Sequence, residues 1–202
     1  MDTLEDIERE EAYLDLVDQI SKDAIEQFTF DRMRSYYVAN PDVAVNTVAV
    51  FREAEALQPA SPSAALVLFT TSIELGLKVA LLKPVVYGLV HNEAVADLIS
   101  DLAVKQNGFD RFKPLLAKVL AEYGSIDFEA FTIEGHKRTV WEEVNVLQNA
   151  RNGIVHRGEL CTPELAELAK DVATMIIGKY FVSVLAALGL QYVKGGHIAQ
   201  AK

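Results

Sequence analysis

The stretch Thr139–Gly158, TVWEEVNVLQNARNGIVHRG, decides how the chain is read. Val140, Val144, Leu147 and Ile154 step by four, three and seven residues, which is the apolar stripe of a helix packed into a core. Arg151 completes that stripe. At 100° per residue, Asn145, Asn149, Asn152 and His156 fall on a different face, within about 60° of one another and roughly opposite the stripe. That face is polar but uncharged, whereas a solvated helix face ordinarily carries Lys and Glu. It reads as a surface half-buried in a cleft or against a partner. Arg151 lies on the side that should be inside, and a guanidinium there needs a carboxylate or an anionic ligand. A purely structural reading stands beside this one: Arg151, His156 and Arg157 precede Gly158, and cations near a helix C-terminus favour the dipole and the last carbonyls.

The flanking helices follow from the same kind of pattern. Downstream, Thr162-Pro163-Glu164 is a helix start with a hydroxyl N-cap and proline in the first turn. The helix it opens is predicted to reach Leu190, apolar from Val172 onward except for Lys179. Upstream, Ser63 to Leu82 is apolar for most of its length, with Glu74 and Lys78 as its only charges. It nearly matches a membrane span, but its charges and hydroxyls favour a buried core helix. A carboxylate in mid-helix must be paired. Lys78 is the local candidate and Arg151 the distant one, preferred because that pair would resolve two burial problems at once. Pro84 and Gly88 are expected to close or kink this helix.

Further out, residues 2 to 20 read as an acidic amphipathic helix, with an acidic arm for a basic partner as the alternative. FTFDRMRSYY follows, with Phe28, Phe30, Tyr36 and Tyr37 interleaved with Arg32 and Arg34. Such a mixture can stack bases and hold phosphates, but packing of the aromatics on the bundle is the favoured reading. After Pro41, Asp42 is the expected N-cap of a helix over 43 to 57. Residues 92 to 106 read as a helix stopped by Asn107-Gly108, and Asp110 as the cap of a short one ended by Gly124. Residues 125 to 138 are the least periodic; there His136, Lys137 and Arg138 read as a solvated charge run that could also receive a phosphate backbone. The tail VKGGHIAQAK has little to bury, so His197 is expected in a mobile terminus. No alternating strand pattern is evident. The prediction is an all-α bundle of about six or seven helices, a single domain over 1–202 with its core at about 61–190 and N-terminal helices within 2–58.

Composition bounds the function. Half of the 202 residues are hydrophobic and the formal net charge is -10, which argues against loose electrostatic binding of nucleic acid. Any RNA contact must be local and shaped. The single cysteine, Cys161, allows no internal disulfide, and without an N-terminal apolar segment the expected compartment is a reducing cytosol, with no membrane partner. Neither metal-ligand spacing of His and Cys nor a Gly-rich phosphate loop is present, so no metal and no cofactor are expected.

Arg151-Asn152-Gly153-Ile154-Val155-His156 resembles the R-N-x3-H form of the R-x4-6-H motif of HEPN domains, small helical modules of prokaryotic toxin, defence and RNA-processing proteins. Ser72-Ile73-Glu74-Leu75-Gly76-Leu77-Lys78 is similar to the S-x-E-x-x-x-K helix that precedes the motif in many of them. The likeness spans roughly residues 61 to 190. It implies metal-independent endoribonuclease activity leaving a 2',3'-cyclic phosphate and a 5'-hydroxyl. His156 would act as base or acid, Arg151 would neutralise developing phosphate charge, Asn152 would orient either, and Glu74 would hold Arg151. Arg32, Arg34, Lys137, Arg138 and Arg157 are the candidate RNA contacts. One imidazole cannot easily be both base and acid in a turnover, so a homodimer across Asn145, Asn149, Asn152 and His156 is expected. A toxin would also have a cognate antitoxin or another protein partner. Toxins silenced by nucleotidylation carry Tyr two residues after the His, and here that residue is Gly158, which argues against that control. The alternative is a non-catalytic HEPN-like module for nucleotide binding, protein binding or dimerisation.

Overall fold

The computed structural model describes residue 20, residues 26–90, scattered positions from 92 to 99, and residues 113–201. It is mostly helical, an all-α bundle of about seven helices with one two-stranded sheet. Residues 26–39 form α1, followed by α2 (Val45–Leu57) and a 28-residue α3 (Pro62–Leu89). Next come α4 (Lys113–Gly124) and α5 (Val140–Arg157). The last helix, α6, runs through Pro163–Met175, a π-helical stretch Ile176–Phe181 and Val182–Ala187. The strands are β1 (Leu190–Val193) and β2 (His197–Gln200).

The centre is α3, which packs against α2, α5 and α6. By length and composition it could cross a bilayer, but 67% of its most apolar window is buried inside the bundle, so its apolar surface is covered by protein. Leu66, Phe69, Ile73, Leu77 and Leu81 belong to one hydrophobic cluster that also takes in Met33, Val144, Leu147, Val172, Tyr180 and Ile198. The Ser72 hydroxyl donates to Thr47 O at 2.9 Å and ties α3 to α2.

Pro84 does not end α3. Proline offers no N–H to Ala80 O one turn back, and its ring crowds that carbonyl. The helix responds by widening: Gly76–Leu82 is π-helical, and Lys83 N–H reaches Lys78 O five residues back. The orphaned Ala80 carbonyl accepts from the hydroxyl of buried Tyr37 at 2.7 Å. Burial holds that phenol protonated, far above its usual range. The π-helical stretch of α6 packs against that of α3.

Three local expectations are overturned. Asp42 caps no helix, because α2 begins three residues later behind Ala44, without a side-chain cap. Its carboxylate lies 2.6 Å from Nδ1 of His197 instead. The tail is an antiparallel hairpin with Tyr192 opposite Ile198, not a loose end. Leu190 and Ile198 are buried, and Ile198 N–H donates to Pro41 O at 2.8 Å. Gly196 makes this docking possible: its φ is +94°, and a Cβ there would meet the Ala44–Val45 backbone at under 3 Å. The last helix consequently stops at Ala187 rather than Leu190, with Gly189 in the left-handed region. The helix expected over 2–20 falls outside the described residues apart from Ile20, as does most of that over 92–106, along with Asp110.

Tyr37→Phe leaves the Ala80 carbonyl buried without its donor. The expected loss is about 1–3 kcal/mol in urea unfolding at unchanged m-value. Wild-type stability in that variant would mean that the π-helical widening alone accommodates Pro84.

Candidate functional site

Both ends of α5 are capped. At the N-terminus the Thr139 hydroxyl accepts from Glu142 N–H at 3.3 Å, while Glu142 Oε2 accepts from Thr139 N–H at 2.8 Å, a reciprocal cap. The Thr139 backbone N–H, then its hydroxyl, holds the Glu142 carboxyl below its ordinary value. At the C-terminus Gly158 adopts φ 68°; its N–H donates to Ile154 O and that of Glu159 to Gly153 O.

Between these ends Val140, Val144 and Leu147 are buried, and Ile154 and Arg151 are half-buried. The opposite face is open: Asn149, Asn152 and His156 are exposed and Asn145 is half-buried. Two exposed apolar side chains lie near it: Val155, 49% exposed on the flank about 60° from Asn152, and Leu160, 89% exposed beyond the helix end.

Arg151 and His156 are about 140° apart around the helix. Asn152 lies about 40° from His156 in the same projection. Its Oδ1 accepts from Arg151 Nη1 at 3.1 Å, drawing the guanidinium towards the imidazole side. The expected ion pair between Arg151 and Glu74 is not formed; Glu74 sits half-buried on α3, and Arg151 bonds to its own neighbour. The guanidinium therefore keeps its charge for another anion.

The other candidate cations are dispersed. Arg32 donates through Nε and Nη2 to Tyr87 O and Val90 O, both at 3.0 Å, at the C-terminal end of α3. Arg34 donates to Leu188 O at 3.2 Å, just past the end of α6. Helix C-termini leave carbonyls without intrahelical donors, and both arginines supply them. Arg157 is paired with Glu159 at 2.6 Å. That pairing raises the guanidinium's pKa and lowers the carboxyl's. Lys137 is exposed. At Cys161 burial pushes the thiol up, and the thiol donates to Thr162 O.

His136 is not part of a solvated charge run. It is half-buried, with Nδ1 3.8 Å from Glu143 Oε1 on α5 and Nε2 3.6 Å from Asp171 Oδ2 on α6. Glu143 is 4% exposed, and its Oε2 makes no hydrogen bond and lies 3.6 Å from Arg138 Nη1. The ring nitrogens point at opposite carboxylates, so the three side chains cannot converge on one ion. They form a clamp between α5, α6 and the segment before α5, ionic wherever His136 is protonated. The signal was present in the sequence: Glu143 falls within the apolar sector of α5, and a carboxylate there requires a cation.

Two stability predictions follow from these contacts. Thr139→Ala is expected to cost about 1 kcal/mol at neutral pH. Because the Glu142 carboxyl is depressed in the folded state, its share of the cap is complete above the ordinary glutamate value and fades as pH falls through the depressed one. The gap between wild type and variant should accordingly narrow in acid unfolding curves. For the clamp, His136→Ala leaves Glu143 buried beside Arg138 alone and is expected to cost about 1–3 kcal/mol. Glu143→Met removes the buried charge itself and should cost less, or stabilise; equal losses in urea would contradict the clamp. Compared with protein-family models, curated proteins and solved structures, the chain matches none.

Proposed function

We propose that the chain is a metal-independent endoribonuclease of the HEPN type, acting as a homodimer through α5. The observation that carries the reading is the state of the motif: His156 is exposed, and Arg151 is bonded to Asn152 rather than neutralised by Glu74. An arginine retained only to stabilise a core would be saturated by a buried carboxylate, and a structural histidine would be covered.

In the proposed reaction His156 removes the proton of a ribose 2'-hydroxyl, whose oxygen attacks the adjacent phosphorus. The bond to the 5'-oxygen breaks, and the partner's His156 supplies the proton to that leaving oxygen. The products are a 2',3'-cyclic phosphate and a 5'-hydroxyl. Imidazole suits both proton transfers because it titrates near neutral pH. Arg151 stabilises the added negative charge on the phosphoryl oxygens, and Asn152 keeps the guanidinium on the imidazole side. Two-fold pairing through the uncharged face, with exposed Val155 and Leu160 beside it, would bring the second imidazole.

The same exposed apolar pair supports a second reading, a non-catalytic module whose α5 face binds another protein, such as an antitoxin. The net charge of -10 suits that reading as well.

The test is cleavage of a mixed RNA pool in EDTA, with end-group analysis, alongside the oligomeric state across a dilution series. Wild type should leave cyclic phosphate ends. His156→Ala should lose about 10²–10⁴ in rate, and Arg151→Ala about 10²–10³. Folded dimers that do not cut, or a wild-type monomer at the working concentration, would remove the nuclease reading and leave the binding module.

A further inference from the structure

A pocket of about 470 Å3 lies between the C-terminal half of α1 and the last turns of α3, lined by Arg32, Ser35, Tyr36, Asn40, Lys83 and Tyr87 among others. Its lining holds two cations and no carboxylate, in a chain of net charge -10. Among the described residues neither Arg32 nor Lys83 forms an ion pair. Such a concentration of positive charge, with no carboxylate among the described lining residues, favours an anion.

Arg32 is held in place. Two N–H groups of Arg32 are bonded to Tyr87 O and Val90 O, and its guanidinium carbon lies 5.5 Å from the Phe28 ring centroid. The rest of its five donors stay available. Lys83 Nζ sits 6.0 Å from the Tyr87 ring centroid. The aromatic wall is equally well supported: Tyr36 and Tyr87 have centroids 4.6 Å apart at 44°, and Tyr36 is backed edge-on by fully buried Tyr37. A half-buried ring pair beside two cations offers a π-surface for a flat ring and donors for a phosphate, without reading base edges. The volume falls within the range of small-molecule sites, roughly 300–1,000 Å3.

The geometry points to a nucleotide site here: a nucleobase stacked on Tyr36 and Tyr87, with its phosphate held by Lys83 and Arg32. It is separate from the motif on α5. The α5 end of the bundle is marked by Ser63, whose Oγ accepts from Cys161 N–H at 2.9 Å. Tyr87 is 24 residues along the same helix, about 36 Å away at the α-helical rise. The pocket therefore binds its ligand whether or not the motif cuts RNA. The ligand is a free nucleoside monophosphate or the 5'-phosphorylated end of a strand, two sources of the same chemistry.

The experiment titrates the full-length protein with 5'-AMP, adenosine, inorganic phosphate and a 5'-phosphorylated RNA tetranucleotide, by calorimetry or by NMR line shifts. Saturable 5'-AMP binding is expected, with adenosine and phosphate each at least about tenfold weaker, because each keeps only half of the contacts. Lys83→Met, which keeps the apolar stem, should weaken 5'-AMP at least about tenfold through loss of a charge-assisted bond. Ser35→Glu, at an exposed rim position, should weaken it by like-charge repulsion without disturbing the core. A tetranucleotide that binds more tightly than 5'-AMP assigns the site to RNA ends, and the reverse order assigns it to free nucleotide. No saturable 5'-AMP binding, phosphate as tight as 5'-AMP, or affinity lost in His156→Ala but kept in Lys83→Met would each overturn the site.

Discussion

One backbone carbonyl, that of Ala80, carries more of this architecture than its size suggests. The longest helix of the bundle has a proline inside it, and proline withholds the donor that this carbonyl would otherwise receive. Two adjustments keep the helix whole: a π-helical turn that widens the backbone around Pro84, and a phenol from α1 that reaches the abandoned oxygen. Because α3 continues to Leu89, its far end lies beside α1, where Arg32 closes it and Lys83 and Tyr87 meet Tyr36. A helix broken at Pro84 would leave neither that end nor that pocket.

The motif helix meets a different constraint. Its ends are fixed by the Thr139–Glu142 cap and by Gly158 in the left-handed region, and its buried stripe of Val140, Val144 and Leu147 sets which side faces the core. Arg151 is thereby held on the packed side, while His156 is held on the open one. Asn152 reconciles them by accepting from the guanidinium at the edge between the two faces. Glu74, which could have neutralised Arg151, does not approach it.

In an acidic chain, each cation's assignment matters. Arg32 and Arg34 close helix C-termini through carbonyls, Arg157 is matched by Glu159, and His136 and Arg138 face the buried Glu143. This distribution leaves no basic trough near the motif among the described residues, so recognition there has to be local. It also explains why the cations of the α1–α3 pocket stand out: they are together, and no carboxylate is among the described residues that line it.

The helices, their starts at Thr139 and Thr162, the stop at Gly158 and the buried stripe of α5 were legible in the sequence, because caps and periodicity act over one or two turns. So was the separation of Arg151 from the polar face that ends in His156. Contacts between segments distant in the chain were not legible. Local propensity could not reveal that Asp42 would face His197 rather than cap α2, or that the glycine-rich tail would fold into a hairpin over Ala44. It could not show that Tyr37 would carry α3 past Pro84, or that His136 would lie between two carboxylates from different helices. In each of these a polar or conformational demand at one site is met by a group distant in sequence, and only packing decides which group arrives there.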